Sequence, residues 1–131
     1  MDSALSPVSR DHATELAWAA GFFDGEGSTS VDRGTGKAYG YLRLSVAQSS
    51  DSGPPSTLVR FHGIVGGKIN GPYTTQRPDG FTRKPRYILV VYQEVAERAL
   101  ALMWPYLGVE KRAQADAARS TVAGIREARA A

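Results

Sequence analysis

The sequence predicts an α+β domain, on the strength of three observations. Two pairs of short segments rich in β-branched and aromatic residues are set between longer stretches of helical period. Glycine and proline clusters mark the joints between them. The length, 131 residues, fits one domain. The resulting order is α-β-β-α-β-β-α with a helical tail.

Taken in order, residues 1–13 are polar, include Ser6-Pro7 and show no period, so they are expected to form a flexible arm, with the domain running over 14–131. Thr14 is the expected N-cap of a first helix over 15–25. Residues 28–33 and 39–48 are expected to pair as a hairpin with its tip at Arg33-Gly34-Thr35-Gly36-Lys37. In its second strand Leu42, Leu44 and Val46 fall on one face, and Tyr39, Tyr41, Arg43 and Ser45 on the other. The loop from Ser49 to Pro55 leads to a helix with prolines in its first turn and an apolar stripe of Leu58, Phe61 and Ile64-Val65. Gly66-Gly67 ends that helix. Lys68–Tyr73 and Arg86–Gln93 form the second strand pair, joined by a long loop rich in Gly, Pro, Arg and Lys. An apolar helix spans Val95 to Leu107, and Lys111–Ala131 is Ala/Arg-rich and helical. The two α-β-β halves share a pattern but not a sequence.

Composition narrows the function. The absence of cysteine removes disulfides, thiolate zinc sites and cysteine nucleophiles, and fits a reducing compartment. His12 and His62 lie too far apart in sequence to suggest a shared metal site or triad. Apolar runs are too short for a membrane span, and Met1–Pro7 lacks the basic and apolar regions of a signal peptide. The expectation is therefore a cytoplasmic protein, a nucleoid or organelle matrix included, and not a secreted one.

Net charge is only +3, but it is unevenly spread. Segments 31–49 and 68–87 hold Arg33, Lys37, Arg43, Lys68, Arg77, Arg83, Lys84 and Arg86 against Asp32 and Asp79 alone. The rest of the chain is net acidic. Such a split points either to a surface that meets a polyanion or to a pair of solvated basic hairpins.

The first helix is the most informative. At 100° per residue, Ala17, Ala20, Gly21 and Asp24 form one stripe, while Leu16, Trp18, Ala19, Phe22 and Phe23 form the opposite one. No charge interrupts either between Glu15 and Asp24, so both sides need cover. The bulky side suits the domain's own core; the small side suits close approach by a second helix. The chain then reads Asp24-Gly25-Glu26-Gly27, two carboxylates at a helix end whose dipole favours cations. Paired with a second such helix, these oxygens would favour a bridging cation of the Mg²⁺ type over zinc. A glycine-rich helix stop with incidental acids is the plainer reading.

Ala19-Ala20-Gly21-Phe22-Phe23-Asp24-Gly25-Glu26-Gly27 resembles the nine-residue signature of the LAGLIDADG homing endonucleases. The element order, Gly66-Gly67-Lys68-Ile69 before the third strand, and Trp104-Pro105-Tyr106-Leu107 ahead of Lys111 are also similar to that family, so that about 100 of the 131 residues are covered.

The resemblance implies the LAGLIDADG fold, with a four-stranded antiparallel DNA-binding saddle. It implies a homodimer, since one motif supplies half a site, and a near-palindromic double-stranded DNA target cut by metal-dependent hydrolysis, the activity behind intron mobility. By position Glu26 would be the Mg²⁺ ligand with the Gly25 carbonyl nearby, Gln48 would orient water and Lys111 would stand near the scissile phosphate. Lys111 reads equally as a helix-end cation and Gln48 as a strand-end cap. The second basic residue the family often carries after Gln48 is replaced here by Ser49-Ser50-Asp51-Ser52. Ala17, Ala20, Gly21 and Asp24 would line the dimer interface. DNA contacts would come from Arg33, Lys37, Tyr39, Tyr41, Arg43 and Ser45, then Lys68, Asn70, Gln76, Arg77, Arg83, Lys84 and Arg86. Relatives that bind without cutting set a competing expectation, an RNA-splicing maturase or a DNA-binding regulator. A small-molecule acid–base enzyme using Asp24 and Glu26 is a third reading that no other motif supports.

Overall fold

The computed structural model describes residues 11–34 and 40–130. The expected order holds: α1 (His12–Glu26), β1 (Gly27–Asp32), β2 (Tyr41–Ser49), α2 (Ser56–Val65), β3 (Lys68–Tyr73), β4 (Arg86–Tyr92), α3 (Gln93–Met103), a 3-10 turn (Trp104–Tyr106) and α4 (Val109–Ala130). The protein is α+β, with one four-stranded antiparallel sheet in the order β1-β2-β4-β3.

The alternation in β2 decides which way the sheet faces. Leu42, Leu44 and Val46 are buried, and β4 supplies Tyr87, Leu89 and Val91 to the same side. Against this face pack Leu16, Ala19, Ala20 and Phe23 of α1, Leu58, Phe61 and Val65 of α2, and Ala96, Ala99, Leu100 and Met103 of α3. Phe23 and Phe61 stack at 6.2 Å, and Trp18 and Phe22 extend the aromatic cluster outward. The other face carries no helix, because its side chains (Arg43, Ser45, Arg86 and their neighbours) could not be buried without losing solvation.

Several boundaries differ from the expectation. Asp11, not Thr14, caps α1: its carboxylate accepts the Thr14 N–H at 2.7 Å, so Thr14 is the third helical residue. His12 and Ala13 therefore belong to the helix and not to an arm; residues 1–10 lie outside the described residues. Pro55 is the N-cap of α2 and not part of its first turn. Gln93 opens α3 and does not end β4. The helix expected to reach Leu107 stops at Met103, because Pro105 has no N–H to continue the ladder and the chain tightens to a 3-10 turn. α4 begins two residues earlier than expected, at Val109.

Two glycines are required where they stand. A Cβ on Gly27 would enter the Phe23 ring, so the tight helix-to-strand turn depends on its absence. Gly67, at φ +90, has the Val90 carbonyl 2.5 Å from where its Cβ would sit. Among the described residues, no helix is long and apolar enough to cross a membrane.

Candidate nucleic-acid interface

The end of α1 is held by the start of α4. Both Asp24 carboxylate oxygens accept the Gly108 N–H, at 3.0 and 3.1 Å, one residue before α4 begins. The carboxylate thus lies beside the positive end of the α4 dipole, which offsets its unfavourable place at the negative end of α1. The last turn of α1 has no basic residue of its own. Lys111 supplies one from α4, donating from Nζ to the Gly27 carbonyl at 2.6 Å. One turn further on, Gln114 Oε1 accepts the Thr29 N–H at 3.0 Å.

Glu26, exposed at the end of α1, lines a shallow hollow with Gln48, Ser49, Pro55, Thr57 and Arg86. Glu26 and Gln48, 22 positions apart in sequence, are therefore brought to one place. Within it Gln48 Oε1 accepts from the Thr57 hydroxyl at 2.7 Å, which ties the end of β2 to the first turn of α2. Lys111 is not among the residues lining this hollow and has its bond to Gly27 instead. Gly25 is exposed in the last turn of α1. Among the described residues, no three acidic or histidine side chains converge where a metal ion could sit. One chain offers a single carboxylate, Glu26, with oxygen donors around it; such a set suits a hard cation only as part of a larger one.

The residues expected at a dimer interface separate. Ala20 is fully buried by its own chain and Asp24 is engaged with Gly108. Ala17 and Gly21 are exposed, and with Ala13 and Gly25 they form an uncovered small-residue line at four-residue spacing. The stripe is thus rotated by part of a turn from the one the helical wheel suggests, because the core closes over Ala20.

The expected DNA contacts fall mostly on the helix-free face. Register places Tyr41 opposite Asp32, Arg43 between Ser30 and Tyr92, Ser45 between Ser28 and Val90, and Ser49 opposite Arg86. Lys68 and Asn70 face Val90 and Ile88 on the same side. Ser45 shares a hydrogen bond with Ser28 at 3.2 Å. Arg33 and Arg43 line a hollow at the hairpin end of the sheet with Ser30, Asp32 and Tyr92. Arg83, Lys84 and Arg86 line another at the opposite end, with Ser49, Tyr73 and Thr75. Lys37 and Tyr39 lie outside the described residues.

Two expected contacts have internal work. Arg77 pairs with Asp79 at 2.9 Å, and the Gln76 amide donates to the Gly80 carbonyl at 3.1 Å. Both build the tip of the β3–β4 ribbon. That ribbon continues past β3 through the Gln76–Thr82 bridge. The sequence reading passed over Thr57 and Phe81. The turn signature Pro78-Asp79-Gly80 was the available signal for the ribbon, since it marks a tight reversal within what read as a plain loop. Thr57 carried no such signal.

No family model matches the chain, and no curated protein matches it.

Proposed function

We propose that this chain is a site-specific double-strand DNA endonuclease of the LAGLIDADG type, acting as a homodimer. One observation carries the reading. The carboxylate that ends α1, Glu26, opens onto the same end of the helix-free sheet face as the basic group Arg83, Lys84 and Arg86. A polyanion lying along that face would pass beside an acid able to hold a hard cation. The order α-β-β-α-β-β-α, the sheet order β1-β2-β4-β3 and the nonapeptide at the end of α1 support the family assignment.

In this reading the uncovered line Ala13, Ala17, Gly21 and Gly25 meets its copy, and two Glu26 carboxylates come together. Glu26 of each copy would hold Mg²⁺, whose chemistry there would be Lewis-acid stabilisation of phosphodiester hydrolysis. Gln48, whose Oε1 is held by the Thr57 hydroxyl, lines the hollow, and its amide N–H groups would be the donors to water or to a phosphate oxygen there. Lys111 neutralises the end of α1 and so helps fix the backbone on which Glu26 stands. The two-fold axis of the dimer makes the target near-palindromic.

A second reading has its own support: a DNA-binding regulator or RNA-splicing maturase of the same fold. It is favoured by Lys111 being turned to Gly27 and not to the hollow that Glu26 lines.

A cleavage selection separates the two. Purified protein, Mg²⁺ and a pooled DNA library are incubated and new ends sequenced, beside a Glu26→Gln control. Ends that converge on one near-palindromic site and vanish in the control support the nuclease. Retention of specific DNA without any new ends supports the regulator, and retention of structured RNA in preference to DNA supports the maturase.

A further inference from the structure

The tip of the β3–β4 ribbon holds a feature that the basic face alone does not require. Phe81 is 70% exposed, the most exposed large apolar side chain among the described residues. A lone exposed phenylalanine on a mobile loop would mean little, but this one is held on a built platform. Its carbonyl accepts the Arg77 N–H at 2.7 Å, and its N–H donates to Asp79 Oδ1 at 3.1 Å. Gly80 N–H donates to the Arg77 carbonyl at 2.9 Å, Gln76 holds the Gly80 carbonyl, and the Arg77–Asp79 ion pair closes the turn. The polar groups of the tip are thus spent on fixing the backbone, and the aromatic ring is what the tip presents.

Its neighbours give the chemistry of what it meets. Two residues on, Arg83 N–H donates to the Thr75 carbonyl at 3.0 Å, so the ladder continues from the tip towards β4. Arg83, Lys84 and Arg86 line the adjoining hollow, and no acidic side chain lines it with them. None of the three has an ion pair among those found between described residues. An apolar prong next to three uncompensated cations matches a ligand whose apolar groups lie beside phosphates. A two-stranded ribbon fits the major groove of B-form DNA, where the apolar group a base pair displays is the thymine methyl. Wedging between stacked bases would instead require unstacking them at a cost of a few kcal/mol.

We propose that Phe81 is a base-reading residue that places its ring against a thymine methyl in the major groove of duplex DNA, while Arg83, Lys84 and Arg86 neutralise the flanking phosphates. The inference rests on the DNA-binding reading above, but not on whether the DNA is cut.

The test uses the full chain in EDTA, so that cutting does not intervene. A duplex sequence is first selected from a random pool by the wild-type protein. It is then resynthesised with thymine and with uracil in place of every thymine. Wild type should bind the thymine duplex at least about fourfold more tightly, the value of one buried methyl-sized group. Phe81→Ala should lose that preference and bind both duplexes as wild type binds the uracil form. Its salt dependence should match wild type, whereas Arg83→Ala with Lys84→Ala should lower the salt slope by about two. Because Phe81 is mostly exposed, its replacement leaves the core intact, which a thermal melt of the variant verifies.

If Phe81→Ala weakens both duplexes by the same factor and keeps the thymine preference, the methyl contact is wrong and the ring acts by stacking. Unchanged binding and preference in Phe81→Ala would show that the ring has no part in recognition. If the wild-type protein selects no duplex at all, the DNA-binding reading falls and this inference with it.

Discussion

The two faces of the sheet treat their polar groups in opposite ways. On the helical side, several charged groups are tied down. Arg60 reaches 45 positions back to Glu15 at 2.7 Å and lies 3.8 Å over the Trp18 ring; Arg119 joins Glu97 and lies over Trp104; Lys111 holds Gly27. On the open face, Arg43, Lys68, Arg83, Lys84 and Arg86 have no acid partner among the ion pairs found between described residues. The same residue type serves as a brace in one layer and stands without an acid partner among those ion pairs in the other. Charge count could not show this, since the chain is only +3 overall.

Five substitutions would break or sharpen the contrast. The largest effect is expected for Phe61→Ala, which empties the aromatic centre of the helical side and should cost about 3–5 kcal/mol in denaturant unfolding. Arg43→Ala on the open face should stay within about 0.5 kcal/mol of wild type in the same assay. Asp24→Asn removes the charge from the α1–α4 junction and should cost about 2 kcal/mol, the scale of hydrogen bonds to ionised groups. Equal stability of this variant and wild type would mean that the junction does not brace the fold.

Thr29→Val acts in the other direction. The Thr29 hydroxyl is buried on the core side of β1 without a hydrogen-bond partner, and a near-isosteric methyl should raise stability by about 1 kcal/mol. A small effect with a pH signature belongs to Asp11. Hydrogen bonds from the Thr14 backbone and side chain hold its carboxyl below the ordinary value of 3.8. A depressed folded-state value means the cap's contribution is present above about pH 4 and fades as pH falls through it. Asp11→Ala should therefore melt slightly below wild type at neutral pH, and the gap should close in melts at strongly acidic pH.

Much of the fold was legible because its signals are local. Alternation in Tyr41–Gln48 fixed both strand and facing, and Gly66-Gly67 marked a helix end that needs positive φ. Boundaries slipped where two local signals compete. Asp11 and Thr14 are both good caps, and only the direction of the Asp11 side chain decides between them. The candidate site was legible in part. Glu26 and Gln48 were singled out by a resemblance, and the fold brings them to one hollow. What stayed hidden depends on long-range contacts: Asp24 with Gly108 and Lys111 with Gly27 each span 84 positions. Ala20 and Gly21 stand at opposite edges of one stripe on a wheel, and one is sealed in the core while the other is open, a distinction set by where α2 and α3 lie.

The sheet ends at β1 on one side and β3 on the other, and each margin is blunted. The outward Thr29 N–H of β1 is taken by Gln114. β3 breaks register between Asn70 and Tyr73, includes Pro72 with no N–H to offer, and carries the exposed Lys68. Strand-by-strand addition of another chain, the route by which open sheets aggregate, is thereby discouraged at both margins. If copies gather on a shared polyanion, as proposed above, the sheet margins give them little to pair with, and crowding there would not turn into polymerisation.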